Sequence, residues 1–170
     1  NTVMRAPVCE IITQTAPDFI NRHRLSGRTK RRGAINTDTR IRQLPADTVA
    51  EAVFNLFDCW LDSDLFDSRL DLAIRNWARN DPALQSRLDQ ADGRREAAMA
   101  AMLERFGYSQ ENALVRARTM IYTQIGYISM QVREDMATRL SRVPGYVKTF
   151  TGVPPSQSEM ARFEARLRPT

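Results

Sequence analysis

From Asp47 onward, apolar residues recur every three or four positions and polar residues fill the gaps. That period marks helices that bury one face. Val49, Val53, Leu56, Phe57, Trp60 and Leu61 share one such face, and Thr48 with Glu51 has capping-box spacing ahead of them. Leu70, Ile74 and Trp77 form the stripe of a second helix over 65–79, with Ala73 and Ala78 beside them. That helix ends at Asn80. Asp81 then supplies an N-cap, and Pro82 suits a first helical position, where a missing N–H is harmless. The third helix, 81–106, carries Leu84, Leu88, Ala91, Arg95, Met99, Met102, Leu103 and Phe106, and Gly107 suits a left-handed C-cap. Ser109 opens a fourth, running to about 133 on Ala113, Ala117, Met120, Ile121, Ile125, Ile128 and Val132. Glu111 in its first turn is favoured by the helix dipole. Pro144 predicts the start of a short helix over 144–150, which Gly152 terminates. Pro154 and Pro155 stiffen the connection, Ser156 and Glu159 form a second capping box, and Met160, Phe163 and Leu167 make a last helix. No segment alternates as a strand does. The predicted fold class is all-α, an antiparallel helical bundle over 47–170.

Residues 1–46 differ. Their periodicity is weak, Pro7, Pro17, Gly27, Gly33 and Pro45 interrupt them, and only two short helices, near 8–15 and 18–24, are predicted there. The charge also divides at this boundary. Up to Pro45 there are nine basic residues against three acidic; beyond it, sixteen against seventeen. The net +5 of the chain therefore originates in the first quarter, densest at Arg22, Arg24, Arg28, Lys30, Arg31 and Arg32. Such a run is either a solvated arm or a nucleic-acid contact.

Several chemistries lack their residues. One histidine, His23, sits within the basic run and leaves no Ser–His–Asp set, so an enzyme is not expected. Gly27 and Gly33 lack a phosphate-loop pattern. Asp62, Asp64 and Asp67 are close together but lack the glycine and glutamate of a calcium loop, and read as helix-end acids. Cys9 and Cys59 have no metal spacing and are too few for a disulfide framework, which points to a reducing cytoplasm. No metal or cofactor is expected. No stretch approaches the roughly 18 apolar residues of a membrane span, and no secretory signal is evident.

Four pieces occur in order and at natural spacing: LFDSRLDLAIRNWARNDP (65–82), LDQADGRR (88–95), LERFGYSQENALVRARTMIYTQIG (103–126) and VKTFTGVPPSQSEMARFEARL (147–167). Together they resemble the C-terminal regulatory domain of the tetracycline-repressor (TetR) family of transcriptional regulators, over about 53–169. The family's helix-turn-helix has no counterpart before Asp47. The resemblance therefore implies DNA binding only through a domain not evident here.

The resemblance also implies a small apolar ligand held inside the bundle. The expected contacts are Trp77, Tyr122, Gln124 and Tyr127, with Met99, Met102, Met120 and Phe106 as adaptable walls. Plain core is the other reading of each residue. A homodimer is implied too, through Ala117, Ile121, Ile125, Gly126, Ile128 and Val132 on the fourth helix, with Met160 and Phe163 on the last. Arg75 lies two residues before Trp77 and so faces away from it. Asp71, one turn earlier, is its expected partner; Asp92 is expected to pair with Arg95 or Glu96, and Arg116 with Asn112. The alternative is a helical interaction protein that uses residues 22–32 on nucleic acid or an acidic partner.

Overall fold

The computed structural model of the chain describes residues 44–61 and 66–167. The two predicted N-terminal helices, the basic run Arg22, Arg24, Arg28, Lys30, Arg31 and Arg32, and the acids Asp62 and Asp64 lie outside them. The described residues form six helices and no strand, so the fold is all-α. They are α1 (Val49–Leu61), α2 (Ser68–Ala78), α3 (Pro82–Glu104), α4 (Gln110–Ser129), α5 (Met136–Thr151) and α6 (Gln157–Leu167).

Most helix starts are set by one polar side chain. Asp67 accepts from the N–H of Arg69 at 3.0 Å and of Leu70 at 3.1 Å, which starts α2 three residues later than the periodicity predicts. Asp81 accepts from Ala83 and Leu84, both at 3.0 Å, with Pro82 directly after it. Ser109 accepts from Asn112 at 3.3 Å, and Gly107 takes φ 88° in the turn before it. Ser156 and Glu159 exchange reciprocal bonds of 2.6 and 3.3 Å at the start of α6. Thr48 accepts from Glu51 at 3.2 Å, but the Glu51 carboxylate reaches back to the Asp47 N–H, one residue before the expected one.

Two expectations fail between 129 and 144. The fourth helix ends at Ser129, not near 133. Gln131 adopts φ 51°, and Val132 donates to the Tyr127 carbonyl at 3.2 Å, which turns the chain. Pro144 does not open a helix. Asp135 caps α5 instead, accepting from Thr138 at 2.7 Å, and Pro144 lies inside it. Proline within a helix forfeits a hydrogen bond and costs roughly 3 kcal/mol. Burial of Val143, Val147 and Phe150 along the same helix opposes that loss.

The main core joins five helices. Val53, Phe54 and Leu56 of α1 meet Met99, Met102 and Leu103 of α3, Ala113, Ala117 and Met120 of α4, Val147 and Phe150 of α5, and Phe163 of α6. A second cluster forms where α2 packs on the front of α3: Ile74, Ala78, Leu84, Leu88 and Ala91, with Leu70 and Trp77 against it. Charged groups lock this second contact. Arg75 Nε donates to Asp71 at 2.7 Å, as expected, and its two Nη atoms donate to the Asp92 oxygens at 2.8 and 3.0 Å. Arg95 Nη1 meets Asp92 at 2.8 Å. Burial works to lower the Arg75 guanidinium's pKa, but Asp92 and Asp71 outweigh it and hold the group above its ordinary value.

Polar contacts also tie the ends of the fold. Thr48 Oγ1 donates to the Glu159 carboxylate, and Arg162 meets Glu51 at 2.6 Å, joining α1 to α6. Arg116 donates to Asn112 at 2.7 Å, as expected, and to the Phe150 carbonyl at 2.8 Å. No described helix is long and apolar enough to cross a membrane.

Candidate ligand cleft

The break between α4 and α5 shapes a cleft of about 670 Å³. This lies within the roughly 300–1,000 Å³ usual for small-molecule sites. One part of the lining is aromatic. Phe57 and Trp60 lie 5.5 Å apart on α1, Phe57 stands 6.4 Å from Phe150 and 6.3 Å from Phe163, and Tyr146 lies 5.9 Å from Phe150. Aromatic pairs at such separations favour offset and tilted packing, so the wall is well determined. α2 contributes Ser68, Arg69 and Leu72.

The other part is polar. Tyr127 donates its hydroxyl to Glu134 at 3.2 Å, and Glu134 also pairs with Arg142. The Arg139 guanidinium lies over the Tyr127 ring, 5.2 Å from its centroid. Arg139 Nε is buried with no hydrogen-bond partner among the described residues. Burial raises the Tyr127 phenol above its ordinary pKa; Glu134 adds to that rise, while the charge of Arg139 opposes it.

The expected contacts divide. Gln124 and Tyr127 line this cleft. Trp77 packs instead against the second cluster on α2. Met99, Met102 and Met120 are fully buried in the main core, and Phe106 packs on its edge. Tyr122 points outward, 63% exposed. The eight residues are thus not one surface: the methionines fill the seam between helices, and Tyr122 faces outward.

The expected dimer residues divide too. Ala117, Ile121 and Phe163 are buried within the one chain. Ile128 and Val132 line the cleft, as does Phe163. Ile125 and Met160 pack half-buried against the main core, and Gly126 is half-buried on α4. The outer face of α4 is made by Val115 and Tyr122, with Met130 just beyond its end, all well exposed.

No family model, curated protein or solved structure matches the chain.

What the cleft can do follows from its lining. It combines an aromatic wall, a hydroxyl and several cations. Among the described residues no group of three or more His, Cys, Asp or Glu is placed to hold a metal ion. Phe57, Trp60, Arg139, Arg142 and Tyr146 carry much of the site, and none was among the expected contacts. Phe57 and Trp60 have the spacing of ordinary core residues. Asp135, a good N-cap ahead of an apolar period at Leu140, Val143 and Val147, was the available signal for the α5 wall.

Proposed function

We propose that residues 47–167 form the ligand-sensing and dimerisation domain of a transcriptional regulator of the TetR kind. The observation that carries this reading is the cleft, whose size and aromatic wall suit a small apolar molecule. The order and spacing of the four family-like pieces support it. A ligand bound between α1, α4 and α5 favours whichever arrangement of those helices fits it better, and so shifts the population of the regulator. Attached DNA-reading domains would respond to that shift. The second copy docks on the outer face of α4, where Val115, Tyr122 and Met130 lie seven and eight residues apart.

Titration of the full chain with N-phenyl-1-naphthylamine, a neutral apolar fluorophore, tests the sensing role. Saturable binding is expected, and Leu72→Trp, which puts bulk into the cleft, removes it with helicity unchanged. A chain that leaves the fluorophore dark at every concentration has no such site. Light scattering that reports a monomer at micromolar concentration rejects the dimer.

The charge distribution favours one further reading, in which residues 22–32 contact nucleic acid. Binding to duplex DNA then weakens steeply as salt rises, and salt-insensitive binding rejects it.

A further inference from the structure

The cleft is unevenly charged. Among the described residues, four arginines line it, Arg69, Arg133, Arg139 and Arg142, against one acid, Glu134. Glu134 is committed to Arg142 and to the Tyr127 hydroxyl. Among the described residues, neither Arg133 nor Arg139 comes within ion-pair distance of a carboxylate. Arg139 is the more telling of the two. Its guanidinium rests on the Tyr127 ring and also hydrogen-bonds the Tyr127 side chain, but its buried Nε–H has no acceptor among the described residues. Buried donors in folded proteins nearly always find an acceptor, so an orphan of this kind calls for one. Arg139 lines the cleft, and its Nε and one Nη are the two donors that a carboxylate accepts side by side.

We infer that the cleft takes an apolar carboxylate, an aromatic or medium-chain acid. Arg139 grips the headgroup, and the Phe57, Trp60, Phe150 and Phe163 wall covers the apolar body. The inference rests on the proposed sensing role and narrows it to a ligand class. A neutral molecule of the same shape fills the wall but leaves the excess positive charge uncompensated. A cationic molecule adds to it.

Displacement of bound N-phenyl-1-naphthylamine from the full chain at pH 7.5 is the test, with decanoate and decanol as competitors of matched length. Decanoate is expected to displace the fluorophore at concentrations about ten- to a hundredfold lower, the worth of a charge-assisted hydrogen-bonded pair. Arg139→Met keeps the apolar stem and is expected to abolish that advantage while still binding the fluorophore. Arg94→Met, which removes an exposed α3 cation outside the cleft, leaves the advantage intact. Equal displacement by acid and alcohol overturns the inference but leaves an apolar site standing. So does an advantage that survives Arg139→Met. Failure of the fluorophore to bind the parent chain overturns the sensing role itself.

Discussion

Replacing Arg75 with Met keeps the apolar stem and deletes three charge-assisted hydrogen bonds, one to Asp71 and two to Asp92. What matters is what is left behind. Asp71 is only 2% exposed, and Asp92 23%. An exposed ion pair contributes about 0–1 kcal/mol. Breaking a wholly buried one costs about 3–5 kcal/mol, because the surviving charge has neither water nor partner. Arg75 itself keeps 14% exposure, and Asp92 retains Arg95, so the expected loss lies at the lower edge of that range, about 3 kcal/mol. At roughly 2–4 °C per kcal/mol for a chain of this size, the midpoint of thermal unfolding falls by about 6–12 °C. Urea unfolding followed by circular dichroism measures the free energy directly. Adding Asp71→Leu to Arg75→Met is expected to recover part of the loss, since the stranded carboxylate goes too. A single-variant loss below 1 kcal/mol, or a double variant that equals the sum of the singles, would refute the view that charge locks α2 to α3.

Two further outcomes follow from the core and the α1–α6 tie. The Glu159 carboxyl is held below its ordinary pKa by the Ser156 hydroxyl first and then by Thr48, and Glu51 is lowered chiefly by Arg162. A carboxylate with a depressed folded pKa stabilises above its unfolded pKa, so stability is present at pH 6 and falls as pH drops below about 4.3. Glu159→Gln is expected to be less stable at pH 6 and to lose less on acidification; an unchanged acid slope in urea midpoints measured from pH 6 to 3 counts against this tie. Phe163→Ala removes a ring stacked 4.6 Å from Phe54, and is expected to cost about 3–5 kcal/mol while leaving the oligomeric state unchanged. Dissociation of a dimer at unchanged stability would return Phe163 to an interface.

The parts of the fold that were legible are those with local causes. Asp81 with Pro82, Ser109, and Ser156 with Glu159 each act on N–H groups within three residues, so their roles can be read from spacing alone. The same holds for Arg75 with Asp71, one turn apart. Its second partner, Asp92, is seventeen residues away, and only the corner at Asp81 brings it near. The end of α4 was hidden because Ile125, Ile128 and Val132 continue the helical period beyond the last helical residue. What ends the helix is a left-handed Gln131, a residue type that gives no such warning. The cleft suffered most from this. Its α5 wall exists only because the chain turns there, so Arg139, Arg142 and Tyr146 could not be brought toward Gln124 and Tyr127 by periodicity. Met99, Met102 and Met120 illustrate the opposite difficulty, since adaptable side chains suit a pocket wall and a helix seam equally well.

Helix α3 is about 34 Å long at the usual rise, and its two halves serve different clusters. Its rear half belongs to the large core, while its front half and α2 share a small one. Local unfolding proceeds through such units, and the smaller one is expected to open first. α2 also supplies Ser68, Arg69 and Leu72 to the cleft. Under the proposed sensing role, the residence time of a bound molecule is then expected to depend on Ile74 and Leu88, side chains outside the cleft lining. Amide exchange at Ile74 and release of a bound apolar probe are expected to slow or quicken together. Residence time, as distinct from affinity, becomes a property that substitutions remote from the ligand can tune.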